Sequence, residues 1–238
     1  DLSAVISGPM ATQILADQGA DVIKVEAPGP GDIVRYLGPT KNGVNAMFTA
    51  VNRNKRAIVL NLKSPEGRQV LIDLVKSADV IVENFRPGAL DRLGLGYPQL
   101  KAVNAGLIYA SMSGFGDTGP YAKRRVYDPV IQATSGFSYT QANATTGEPQ
   151  LIQTLACDKT MAITAAQAIT AALYAKARGR EGRLAEINML DSATAFLWPD
   201  AYYNLVFEEG ANRSPDFASF YSIRKTKDGY ITMIAISD

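Results

Sequence analysis

Among the groups able to do covalent chemistry, Asp158 has the most favourable setting, because it stands directly before an Ala-rich segment with helical spacing. One role for an acid there is helix capping, its oxygen accepting backbone N–H groups that have no partner in the first turn. Chemistry needs the same position. The helix dipole and the free amides would hold the carboxylate ionised, worth ~0.3–1 kcal/mol, and ready to act as a nucleophile. Cys157 beside it lacks a neighbouring base and has only Lys159 as an adjacent cation, so a buried thiol is expected. The chain contains no histidine. That excludes Ser-His-Asp and Cys-His nucleophile pairs, HExxH zinc sites and any histidine general base. A single cysteine excludes an intrachain disulfide and a Cys-rich zinc site, and it fits a reducing compartment such as the cytoplasm.

Gly114-Phe115-Gly116-Asp117-Thr118-Gly119 has the spacing of the dinucleotide fingerprint and follows a predicted strand. Pro120 comes next, no helix opens inside the motif, and no acid lies about 20 residues beyond it to hold a ribose. A glycine-rich turn is therefore expected, and no NAD. No GxxxxGK[ST] occurs, so no ATP-driven step is expected, and no metal set is visible. Basic residues recur near predicted strand ends: Arg35, Arg53, Lys55, Arg56, Lys63, Arg86, Arg92 and Lys123-Arg124-Arg125. Each alone is ordinary surface charge, but in an open α/β sheet such ends form the crevice, where they could meet an anionic, phosphate-bearing ligand. Asn84-Phe85-Arg86-Pro87-Gly88 joins an amide, a ring and a guanidinium at one such end, either as a crevice rim or as a plain strand-to-helix turn.

The elements that must position these groups alternate in the manner of an α/β domain with an open parallel sheet. Residues 21–25, 57–62, 80–82, 107–111 and 184–189 are the predicted strands. Ser64-Pro65-Glu66 opens a helix carrying Val70, Leu71, Leu74 and Val75 on one face. Residues 159–176 form a second, buried helix, and 191–207 a third. Residues 28–54, rich in Gly, Pro and Asn, are expected to lack regular structure and to serve function. Residues 208–215 read as a linker. Residues 220–223 and 229–236, joined by a turn at 225–229, read as two antiparallel strands. The expected organisation is a large α/β domain over 1–190, a helix and linker over 191–216, and the start of a smaller domain over 217–238.

The 238 residues carry 24 basic and 23 acidic side chains, a net charge of +1, and 47% are hydrophobic, which disfavours both disorder and a nucleic-acid surface. The most apolar stretch, 161–177, is shorter than the ~20 residues that span a bilayer, so no membrane partner is expected. No basic-then-apolar leader is visible, and the Asn-x-Ser/Thr triplets at Asn143 and Asn212 are taken as accidental. Asp1-Leu2 reads as the tail of a strand, and 230–237 is still strand-like, so a fragment of a longer protein is expected.

Several of these segments, in order, resemble motifs of the class III CoA-transferases, the CaiB/BaiF family typified by formyl-CoA transferase. They are Ser7-Gly8-Pro9, Gly19-Ala20-Asp21-Val22-Ile23-Lys24-Val25-Glu26, Asn52-Arg53-Asn54-Lys55-Arg56, residues 84–88, Ser113-Gly114-Phe115-Gly116 and Gly119-Pro120-Tyr121. The resemblance implies a Rossmann-like large domain, a small domain and a homodimer of interlocked chains. It implies Asp158 as the catalytic nucleophile, Tyr127 near the thioester, and CoA held by Arg35, Leu60, Lys63, Asn84, Phe85, Arg92 and Arg125. The implied activity is transfer of CoA from an acyl-CoA to a small carboxylic acid through an aspartyl anhydride and an aspartyl-CoA thioester. Ile6 stands where some members place a glutamine, a departure from the oxalate-using ones. The racemases of the superfamily pair a histidine with the aspartate; here Tyr127 takes that place, and a phenol with reference pKa near ~10 is a poor base at neutral pH. A non-catalytic CoA-binding scaffold is the third possibility.

Overall fold

The computed structural model describes residues 1–210, 212–215 and 221–233. Five of its strands form parallel ladders: β1 (Val22–Glu26) pairs with β4 (Lys55–Val59), while β5 (Val80–Glu83), β6 (Ile108–Ser113) and β7 (Leu184–Asn188) pair in that order. Asp1 and Leu2 fill the slot between β1 and β5. The Asp1 nitrogen donates to the Ile23 carbonyl (2.9 Å), Val25 N–H to the Asp1 carbonyl (2.8 Å) and Leu2 N–H to the Val82 carbonyl (2.8 Å). The spatial order is therefore β4, β1, residues 1–2, β5, β6, β7.

Alternation along the strands sends successive side chains to opposite faces. Ile81 and Tyr109 join a core with Leu71, Val75 and Leu100, from helices α3 (Pro65–Val75) and α4 (Tyr97–Val103). Val82, Ala110 and Met112 join the opposite core with α1 (Ser7–Asp17), α5 (Asp128–Ser135), α7 (Ala156–Ala177) and α8 (Met189–Ala201). The central α7 is fully buried at Ala162, Ala165 and Ile169. Its small side chains allow the close approach to α1 that larger ones would block. Its threonines stay helical because the Thr160, Thr164 and Thr170 hydroxyls donate to carbonyls four residues back, at 2.8, 2.9 and 2.8 Å.

Several expected boundaries move. Strand β4 runs over 55–59 rather than 57–62, since Asn61–Ser64 turns to open α3, where Ser64 Oγ accepts from Gly67 N–H at 3.1 Å. Residues 28–54 are not irregular: they hold a 3-10 turn at Ile33–Tyr36, a small hairpin of β2 (Thr40–Lys41) and β3 (Val44–Asn45), and helix α2 (Ala46–Asn52). Asn45 Oδ1 caps that helix through Phe48 N–H at 2.9 Å. The third expected helix starts at Met189 and stops at Ala201, soon after Pro199 removes a backbone donor, instead of reaching 207. The boundary expected after residue 190 falls inside α8, whose Ala193 and Leu197 lie in the core. A short helix, α6 (Phe137–Thr140), follows α5. The tail contains the antiparallel pair β8 (Ser222–Lys225) and β9 (Tyr230–Met233); of the two strands expected there, Phe220 and residues 234–236 lie outside the described residues. Among the described residues no helix is long and apolar enough to cross a membrane.

Candidate active site

The loops leaving the carboxyl ends of residues 1–2, β5 and β6 meet the start of α7, and a cavity of about 290 Å³ lies between them. In an open parallel sheet this is where chains diverge to opposite faces and leave a crevice. Its first wall is the turn of residues 3–6, which leads into α1. Asn84 grips that turn with both ends of its amide, Oδ1 accepting from Ala4 N–H (2.9 Å) and Nδ2 donating to the Ala4 carbonyl (2.7 Å). Asp32 accepts from Val5 N–H at 3.1 Å and from Lys24 Nζ at 3.1 Å, and Lys24 also donates to the Ser3 carbonyl at 2.9 Å. Both charges of this pair are buried, so their remaining bonds to backbone are what make the burial tolerable. The grip holds Val5 at φ 71°, a left-handed conformation that costs a β-branched residue roughly 1–2 kcal/mol. Gly8 is required behind it, since a Cβ there would lie 2.2 Å from Ser3 Cβ.

The opposite wall is the segment 124–127. It closes on the end of β6 because residue 114 is glycine; a Cβ at that position would lie 1.8 Å from Val126 Cγ1. Arg125 and Tyr127 line the cavity from this side, and Asn84, Phe85 and Arg86 from the side of β5. Arg124 also lines it, its guanidinium 4.4 Å from the centre of the Tyr121 ring. Among the described residues neither Arg86 nor Arg125 has an acidic partner, so the mouth is locally basic. Met112, Met161 and Met189 form an apolar floor.

Asp158 faces this space from the first turn of α7, half-buried. Two expectations about it change. It does not cap the helix: α7 begins at Ala156, the capping position is Leu155, and the acceptor comes from Asp128 on α5, whose Oδ2 takes the N–H groups of Cys157 (2.7 Å) and Asp158 (3.0 Å). Nor is its carboxylate held strongly ionised. Burial, and then the charge of Asp128, push its pKa up to about 6, against the opposing hydrogen bond of Ser7. It is ionised at neutral pH yet more basic than an ordinary carboxylate, which suits a nucleophile. Cys157 is fully buried and its thiol is pushed up to about 12 by burial, Asp128 and Asp158, so it is inert.

Of the residues expected to act on CoA, Asp158, Tyr127, Asn84, Phe85 and Arg125 share the cavity, while Arg35, Leu60, Lys63 and Arg92 lie outside it. Arg35 forks onto Glu26 (2.9 and 2.6 Å) and sits 3.7 Å over Phe48. Leu60 is in the core, Lys63 is exposed, and Arg92 is exposed beside Gly88. Three other basic candidates leave the crevice altogether: Arg53 pairs with Asp17, Lys55 with Asp1 and Arg56 with Asp21. After β6, the glycine run 114–119 contains no helix; the next one is α5. Sequence reasoning missed Ser7, the methionine floor and Asp128. Asp128-Pro129 carries a helix-start signal, but one that refers to α5 and says nothing of α7.

The sequence model of CoA-transferase family III matches residues 1–238. The chain belongs to CoA-transferase family III. An acyl-CoA transferase of Fusarium pseudograminearum is 40% identical over 251 residues, covering 100% of this chain and 55% of its own length. A human succinyl-CoA:glutarate CoA-transferase is 38% identical over 237 residues, covering 98% of this chain and 54% of its own. The crystal structure of a CAIB/BAIF family protein from Brucella suis superposes with a TM-score of 0.85 at 38% identity, over 96% of this chain and 62% of that one. This family III chain thus spans about half the length of the curated relatives it matches.

Proposed function

We propose that this chain forms the nucleophile-bearing, CoA-binding part of an enzyme that moves CoA from an acyl-CoA to a free carboxylic acid. The observation that carries the reading is Asp158, a half-buried carboxylate of raised basicity, open to a cavity whose mouth holds guanidinium groups with no acidic partner among the described residues. The strand order supports a Rossmann-like sheet with the cavity at its switch point. The guanidinium groups suit a phosphate-bearing ligand, and Asn84 holds the wall past which its pantetheine arm would lie. The hairpin of β8 and β9 is taken as the opening of the smaller domain. Exposed Tyr139, Phe196, Trp198, Leu205, Val206 and Phe207 support a homodimer, since apolar surface of this kind is normally covered.

In the proposed reaction the Asp158 carboxylate attacks the thioester carbonyl, and the C–S bond breaks to give a mixed anhydride and CoA thiolate. The thiolate attacks the aspartyl carbonyl, releasing the donor acid and leaving an aspartyl-CoA thioester. An acceptor carboxylate then attacks that thioester, CoA thiolate leaves, and its return to the acceptor's carbonyl frees both the new acyl-CoA and Asp158. No group beyond the two acids and CoA is consumed. Ser7 lines the same cavity and favours the ionised form of Asp158, so its hydroxyl is the group to orient the attacking oxygen. A relative that exchanges CoA between succinyl-CoA and glutarate fits a small-acid acceptor.

The test is mass spectrometry of the peptide containing Asp158 after incubation with a panel of acyl-CoAs. A CoA or acyl adduct on that peptide, lost in Asp158→Asn together with exchange activity, is the expected result. Full exchange by Asp158→Asn refutes the assignment. Rapid exchange of an α-proton of a 2-methylacyl-CoA into deuterated water would instead favour a racemase.

A further inference from the structure

We propose that Asp128 is a positioning residue for the nucleophile: by closing the N-terminus of α7 from another helix, it leaves the Asp158 carboxylate free to face the cavity. The inference rests on Asp158 being the nucleophile. An acid at the third position of a helix ordinarily turns back toward the free amides of the first turn. Leu155, at the capping position of α7, offers those amides no acceptor. Asp128 supplies it from 30 residues away, at 2.7 Å from Cys157 N and 3.0 Å from Asp158 N.

The capping carboxylate is itself locked. Its Oδ1 accepts from Gln132 Nε2 at 2.5 Å, one turn along α5, and both residues are 1% exposed. Gln132 in turn fixes the segment that leads into α7, Oε1 accepting from Ile152 N–H (2.8 Å) and Nε2 donating to the Thr154 carbonyl (3.1 Å). Asp128 also follows Tyr127 directly, so one dry network ties the 125–127 wall to the helix that carries Asp158.

The charge of Asp128 acts on Asp158 as well as its shape. Burial, Asp128 from α5 and Ser7 from α1 act on Asp158, while Asn84, Arg86, Ser113, Arg124, Arg125 and Tyr127 line the cavity it faces. Lys159, next in the chain, is exposed and donates to Thr154 Oγ1 at 2.7 Å. Of these, Asp128 is the one carboxylate among the described residues that opposes ionisation of Asp158. It therefore keeps the nucleophile basic while occupying the amides that would otherwise draw it in.

The experiment compares Asp128→Ala and Asp128→Asn with the unaltered full chain in CoA exchange across pH, scaling rates by the fraction of chain that keeps a cooperative thermal transition. For Asp128→Ala, kcat falls on the order of 10²-fold with KM for acyl-CoA within about threefold, because the reacting oxygen is displaced while the walls remain. Asp128→Asn keeps an acceptor for the amides, so it recovers most of that loss, and its acid limb moves to lower pH because the opposing charge is gone. Wild-type kcat and acid limb in both variants overturn the proposal, as does an Asn variant that matches the Ala variant in kcat and keeps the wild-type limb. If Asp128→Ala does not fold, Asp128→Asn decides through its acid limb. Asp158→Asn run in parallel separates the failures: its activity would sink the nucleophile itself, whereas its inactivity beside normal Asp128 variants sinks only this inference.

Discussion

In the proposed reaction Asp158 carries a conflict that is useful to function and costly to stability. An ordinary aspartate titrates near ~4, but burial and Asp128 raise this one to about 6. Between those values the folded chain binds a proton that the unfolded chain has released, so stability declines as pH rises through the window. Two outcomes follow. Exchange activity, which in the proposed reaction needs the carboxylate, is expected to fall on the acid side with a midpoint near 6, read from kcat/KM against pH. At pH 7, Asp158→Asn is inactive yet melts higher than the wild type, by roughly 1 kcal/mol or ~2–4 °C after allowance for solvent in the cavity. That gain shrinks at about pH 4, where both chains are neutral at this position. A lower melting temperature for the variant at pH 7 would contradict the conflict. That Asp158 stands at the start of the Ala-rich helix was legible in the sequence, but its relation to the cap was not. A capping motif is read from neighbours in the chain, and the acceptor that displaces it sits at Asp128, brought there by tertiary packing.

The turn of residues 3–6 is held largely from outside, by Asn84, Asp32 and Lys24. Asn84→Ala removes both bonds to Ala4 and lets Val5 leave its left-handed conformation. Each half-buried bond contributes ~1 kcal/mol, and the relief of Val5 offsets part of the loss. Denaturant unfolding is expected to show a net fall of roughly 1–2 kcal/mol, with KM for acyl-CoA rising as the wall loosens. An unchanged KM would mean that the turn does not shape the site. The same contacts explain which elements the sequence displayed. Helix α3 was legible because Ser64 and Pro65 mark its start beside a clear apolar face. Helix α2 was not, because its cap, Asn45, ends a stretch of Gly, Pro and Asn that reads as loop. Helix α1 opens with Gly8-Pro9, residues that elsewhere mark turns; here Gly8 is demanded by the approach of Ser3.

The distribution of charge escapes composition entirely. A net charge of +1 predicts a nearly neutral molecule, and several of its cations are cancelled in pairs among the described residues. Arg35, Arg53, Lys55 and Arg56 are spent on Glu26, Asp17, Asp1 and Asp21. Arg86 and Arg125 have no such partner among the described residues, and with Arg124 they gather at one cavity. A cleft lined by one sign of charge concentrates a ligand of the opposite sign, and CoA carries its charge on phosphates. The screening length shrinks from ~10 Å at 0.1 M salt to ~3 Å at 1 M, comparable to the reach of a guanidinium across the mouth. Raising salt from about 0.05 to 0.5 M is therefore expected to increase KM for acyl-CoA several-fold, with kcat nearly constant, since Asp158 itself lies deeper and is screened less. The variant Arg86→Gln with Arg125→Gln should begin with the raised KM and respond little to salt. A flat salt response in the unaltered chain would show that these two cations do not face the nucleotide end of the substrate, and would separate the basic mouth from the binding of CoA.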